Sequence, residues 1–261
     1  YSYDLDIFGE NSIYHMINRT VTHEAGAILA GKLNSIPDSE EEILAKQESL
    51  SELMRKDDFR HRFMAICKGF DEEKNNYTLI TEHKSNNSRL TSRAGLVLIY
   101  ISIAITLASM LLAWMEIIPW SVFITLFMIQ LFVPMTFNKV LNRVGSDIGF
   151  LHKNTRIHAD LLHSMHPETF EAAENKNLKE QLFGTYNSRE ALKELSVLLK
   201  KFDQRNNAYI LVLLNGLFLR DLFLLRQFYR WKDKYLSHLQ SWISALAEME
   251  ARVSQATYMF N

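Results

Sequence analysis

GAILAGKL, residues 26–33, decides the fold class of this chain. The pattern G-x-x-x-x-G-K matches a phosphate-binding loop as far as Lys32, and such a loop belongs to an α/β fold with a buried strand ahead of it. The residues ahead are IYHMINRTVT, which are no run of buried aliphatics, and Leu33 stands where a magnesium-binding hydroxyl is needed. A phosphate also needs free N–H groups, which inside a helix are already bonded to carbonyls. Thr22 can cap a helix that starts at His23, and Glu24 in its first turn suits the positive end of the helix dipole. The stretch is predicted to be helical to about Asn34, before Pro37. Gly26 with Ala30, and Ala27 with Gly31, form small faces that let another helix come close.

The rest of the chain agrees with a helical reading. Nine glycines and four prolines punctuate 261 residues, and alternating strand patterns are nearly absent, which predicts an all-α fold. Lys and Arg total 29 against 30 Asp and Glu, so the charge balance calls for no strongly acidic or basic partner. The lone Cys67 makes no internal disulfide and suits a reducing compartment as a small buried hydrophobe. Tyr1 in place of Met, and an ending MEARVSQATYMFN without cap or breaker, lead to the expectation of a piece of a longer protein.

A capping box at Ser39 and Glu42 starts the next helix, which continues through Ile43, Leu44, Leu50, Leu53 and Met54. DFRHRFMAICKGF makes a shorter helix closed by Gly69, and the polar text from Asp71 to Ser92 reads as a loop or frayed helix.

The composition then changes. Residues 94–115, AGLVLIYISIAITLASMLLAWM, carry no charge, and after Glu116 a second uncharged run reaches Phe137. Twenty-two helical residues extend about 33 Å, which matches a bilayer core of about 30 Å. Two such runs predict a membrane hairpin. Arg89 and Arg93 precede the first run, Lys139 and Arg143 follow the second, and these flanks put both ends on the cytoplasmic side. Trp114 and Trp120 lie at the far turn, where interfacial aromatics belong. The competing reading is a pair of core helices buried on all sides.

Beyond the hairpin, residues 145–183 read as one or two helices with a break near Met165-His166-Pro167. His158, His163 and His166 are spaced i, i+5, i+8, which does not stack them as metal ligands. Asn187 and Glu190 cap a helix whose Leu192, Leu195, Leu199 and Phe202 make a coiled-coil-like seam. From Asn207 to Phe260 there is no proline and one glycine, predicting a single long helix of about 75 Å. Its second half carries a seam at Leu236, Leu239, Ile243, Leu246 and Val253, flanked by Trp242 and Met249. AYILVLLNGLFL, residues 208–219, is uncharged but too short for a third span, and reads as buried or interfacial.

Two stretches resemble the MutS mismatch-repair family. NSIYHMINRTVTHEAGAILAGKLNSIPDSEEEILAKQESLSEL, residues 11–53, is similar to the start of the family's helical core. Thr20-Val21-Thr22, Gly26, Leu29, Leu33, Pro37, Lys46-Gln47 and Leu53 fill the characteristic places. SALAEMEARVSQATY, residues 244–258, is similar to the final turns of the lever helix that lead into the family's ATPase domain. The resemblance implies a core-and-lever domain between a dimeric ATPase and DNA held at the lever tips. It places the ATP and Mg sites, and the true phosphate loop, beyond Asn261. It makes this chain a non-catalytic coupling part of an ATPase, a homodimer through the parent, with DNA as a partner. Phe8-Gly9-Glu10 has the family's mismatch-wedge form, but that motif belongs to a separate upstream domain, so the match is read as chance.

Where DNA-gripping members carry a clamp between the lever helices, this chain has the apolar hairpin. The expected layout is a first core part at 1–92, the hairpin at 93–138 and a second core part with lever at 139–261, on the cytoplasmic side and tethered to the inner face of the cell membrane through residues 94–137. No nucleophile, acid-base pair or thiolate cluster is legible, so no catalytic, cofactor-binding or metal-ligating residue is assigned. The alternative reading is a membrane-anchored helical scaffold that dimerises through its seams, with no nucleic-acid role.

Overall fold

The computed structural model describes residues 6–69, 92–137, 141, 148–184, 186–204 and 207–260. Among them the regular structure is helical, with no strand. The helices are α1 (Ile13–Ile17), α2 (His23–Asn34), α3 (Glu40–Arg55), α4 (Asp57–Cys67), α5 (Arg93–Trp114), α6 (Trp120–Phe132), α7 (Ile148–Met165), α8 (Ala173–Phe183), α9 (Ser188–Asp203), α10 (Ala208–Phe218) and α11 (Arg220–Phe260). A 3-10 turn, Val133–Phe137, extends α6.

Local rules account for most of the starts. The Thr22 hydroxyl accepts the Ala25 amide at 3.3 Å and opens α2, and Ser39 accepts Glu42 at 3.2 Å to open α3. The Glu42 carboxylate reaches back one residue further than in a standard capping box, to the Asp38 amide at 2.9 Å. Asn187 accepts the amides of Arg189 and Glu190 ahead of α9. The polar stretch at 70–91 lies outside the described residues, as do Arg89, Lys139 and Arg143.

The contacts divide the chain into two compact units: Tyr1–Asn76, Lys153–Lys193 and Ser237–Asn261 form the first, Tyr77–His152 and Glu194–Leu236 the second. The first unit has its core where Phe59, Phe63 and Phe170 meet, with ring centroids 5.6 and 5.7 Å apart. Cys67, Leu29, Leu53, Leu162, Met165 and Leu182 are buried with them. The final part of α11 inserts a row of Leu239, Trp242, Leu246, Met249, Val253 and Ala256, all buried and stepping by three and four. Of the expected seam, Leu239, Leu246 and Val253 lie on this row, whereas Leu236 and Ile243 are half-buried. Trp242 and Met249, expected as flanks, occupy the row itself, because the larger side chains fill the space facing the core.

In the second unit, α5, α6 and α10 pack together, and Phe202 of α9 meets Phe228 of α11 edge-on at 6.1 Å. Leu195, Leu199 and Phe202 are buried here, and Leu192 in the first unit, so the α9 seam is filled from within the chain. The expected single helix from 207 to 260 is broken at Leu219, which takes a left-handed φ of 49°. The cause is an exchange of partners. The Asp221 amide donates to the Asn215 side chain at 2.9 Å, and the Leu217 carbonyl, its usual helical acceptor, accepts the Gln130 amide group at 3.4 Å.

Candidate functional site

The last turns of α11 meet the segment 17–22 through two side chains. Glu250 Oε1 accepts the amides of Val21 at 2.5 Å and Thr22 at 3.1 Å, and its Oε2 accepts the Thr22 hydroxyl at 2.6 Å. Ser254 accepts the Arg19 amide and donates to the Ile17 carbonyl, both at 2.8 Å. Segment 18–22 runs between α1 and α2 without a backbone ladder of its own, so these side chains take the amides of Arg19, Val21 and Thr22, while that of Thr20 goes to Asn18. Burial pushes the Glu250 carboxyl above its ordinary range, against the opposing pull of the Thr22 and Val21 donors.

A second face of the same turns carries Glu248 and Arg252, one helical turn apart. Glu248 Oε1 accepts Lys32 Nζ at 2.5 Å and Arg252 Nε at 2.7 Å. Arg252 also pairs with Glu174 at 3.0 Å and donates to Ser49 Oγ at 2.9 Å and Asn175 Oδ1 at 3.1 Å. Asn175 donates to the Ser49 carbonyl and to Glu52, whose carboxylate accepts the Glu171 and Ala172 amides ahead of α8. Lys32 is held below the ordinary lysine range by desolvation, which outweighs the attraction of Glu248.

Residues 248–254 of α11 are therefore bonded to segment 17–22, α2, α3 and α8, while Met249, Val253 and Ala256 face the core. Such an arrangement ties the end of α11 to four neighbours at once. It resists rotation or sliding of the helix end, because each shift would leave several buried polar groups unpaired.

The structure answers the phosphate-loop question in the same place. GAILAGKL is the body of α2, and its Lys32 is turned to Glu248. Gly26 lies within close reach of the Tyr14 hydroxyl and Thr20, while Ala27 and Gly31 are exposed, so among the described residues the second of the two expected small faces meets no helix.

The hairpin stands as α5 and α6 with its 3-10 turn, two helices long and apolar enough to cross a membrane. Of their most apolar 18 residues, 22% and 11% are buried among the described residues, so most of this apolar surface is exposed. Trp114 and Trp120 at the turn are 78% and 49% exposed. Between the helices, buried Thr106 donates to buried Gln130, so these two polar side chains face inward, whereas Ser121 and Thr125 are exposed. Arg93, first residue of α5, is exposed.

His158 is buried, with Nδ1 2.9 Å from the Asn154 carbonyl and a pKa pushed down to about 4 by burial, whereas His163 and His166 are exposed. Among the described residues no group of three or more His, Cys, Asp or Glu could hold a metal. The Glu250 and Arg252 contacts were not legible in the sequence, although charges set among the small residues of SALAEMEARVSQA are the trace that buried pairing leaves. No protein-family model, no curated protein and no solved structure matches the chain.

Proposed function

We propose that this chain is the core-and-lever part of a MutS-like ATPase, held at the cytoplasmic face of a membrane by the α5–α6 hairpin. It is non-catalytic and couples nucleotide state in an ATPase domain to the binding of DNA or a partner. One observation carries this reading. The two stretches that carry the family resemblance, some 228 residues apart, meet through Glu250 and Ser254, and the Thr20-Val21-Thr22 motif is the segment they hold. Two chance likenesses have no reason to be bonded to each other. The exposed apolar surface of α5 and α6 supports the membrane part of the reading.

The scaffold alternative, which dimerises through the seams, loses support because Leu192, Leu195, Leu199 and Phe202 are filled from within the chain. The test is binding of the full-length protein, in detergent, to matched and mismatched duplex DNA, by fluorescence anisotropy across a salt series. Tighter binding to the mismatch at moderate salt supports a DNA role. Weak binding that disappears with salt equally for both duplexes contradicts it.

A further inference from the structure

We infer that α10 is itself seated in lipid, as a half-length helix beside the hairpin, so that the bilayer covers three helices of the second unit rather than two. The inference rests on the membrane reading of α5 and α6 given above. α10 packs against both of them, and its contact with α6 is close enough that a Cβ on Gly216 would overlap the Phe127 ring. The Leu217 carbonyl accepts from Gln130, which is itself bonded to Thr106 of α5. The three helices thus share one polar knot.

The side chains that α10 leaves exposed are apolar. Tyr209 is 88% exposed, Leu213 57%, and Val212 and Phe218 are exposed as well, whereas Asn215 is buried and occupied by the Asp221 amide. Among the described side chains of α10 none that is exposed carries a charge, and this surface adjoins the exposed apolar surface of the two hairpin helices on which α10 packs. From Ala208 to Leu219 there is no charge, and the first charge afterwards, Arg220, is drawn back to the Lys201 carbonyl at 3.3 Å and Gln204 at 2.7 Å. Eleven residues extend about 16 Å, close to one leaflet of a bilayer about 30 Å thick.

The full-length protein, with its native cysteines, Cys67 among them, replaced by alanine, is labelled with an environment-sensitive fluorophore at single introduced cysteines and reconstituted in 3:1 phosphatidylcholine–phosphatidylglycerol vesicles. Sites are Leu213→Cys on α10, Met128→Cys on the hairpin and Lys200→Cys on α9, with Val212→Cys as a second α10 site should the first not fold. Doxyl-labelled lipid is expected to quench the α10 and Met128 probes several-fold and leave Lys200 unchanged. Quenching at Met128 without quenching at either α10 site overturns the inference alone, and self-quenching between α10 probes would identify a second copy as the occupant. No quenching at Met128 overturns the membrane reading and this inference with it.

Discussion

The Thr22 hydroxyl donates to Glu250 at 2.6 Å while accepting the Ala25 amide at 3.3 Å, so one side chain both starts α2 and fastens it to the end of α11. A helix start built in this way registers any displacement of the long helix.

Removing the carboxylate isolates the effect. Glu250→Ala strands the Val21 and Thr22 amides and should cost about 3 kcal/mol, read as a lower denaturant midpoint at unchanged slope. Glu250→Gln keeps an acceptor and should cost about 1 kcal/mol. Equal losses for both variants would mean that the hydrogen bonds are not what matters there.

Arg252 should be less replaceable. Arg252→Ala leaves Glu174 without its cation, Glu248 with Lys32 alone and Asn175 short of a donor, at a cost of about 3–5 kcal/mol by thermal or chemical unfolding. A loss below about 1 kcal/mol would place the network on the energetic level of a surface ion pair.

Gly216→Ala should loosen α10 from α6, because the added methyl meets the Phe127 ring. Overpacking of this kind costs about 1–3 kcal/mol, and Phe127→Leu in the same protein should recover part of it. Additive losses in the double variant would contradict the contact.

Two buried groups give opposite pH slopes. His158 titrates at about 4 in the folded protein, so between its ordinary value of 6.5 and 4 the unfolded chain takes up a proton that the folded one refuses. Its contribution is full above pH 6.5, falls as the pH is lowered and levels off below 4, amounting to on the order of 3 kcal/mol. Glu250 is raised instead, so the folded chain holds its proton longer than the unfolded one and stability declines as the pH rises through the folded value. Unfolding titrations of His158→Gln and Glu250→Gln should each remove one of these slopes.

The parts legible in the sequence are those set by near neighbours. Thr22, Ser39 and Asn187 cap as their types and spacing require, the break at Met165–Pro167 follows from the proline, and the uncharged runs become α5 and α6. What escapes are effects set across the fold. Nothing in NGLFLRD marks Leu219 for a left-handed turn, since the break depends on Gln130 taking the Leu217 carbonyl from 87 residues away. The row on α11 likewise holds Trp242 and Met249 where an aliphatic heptad favoured Leu236 and Ile243, because the shape of the facing core chooses among neighbouring positions. Of the candidate site, the resemblance marked both stretches, but only the structure joins them through Glu250 and Ser254.

In the proposed function the end of α11 carries a signal between nucleotide and the far partner. This coupling is tested most directly by the change in mismatched-duplex affinity on adding ATP, measured for the full-length protein and for Glu250→Gln, which stays folded. The account expects an ATP-dependent shift in the wild type that is reduced several-fold in the variant, with affinity in the absence of ATP largely kept. An unchanged shift in the variant, or no shift in the wild type, would contradict it.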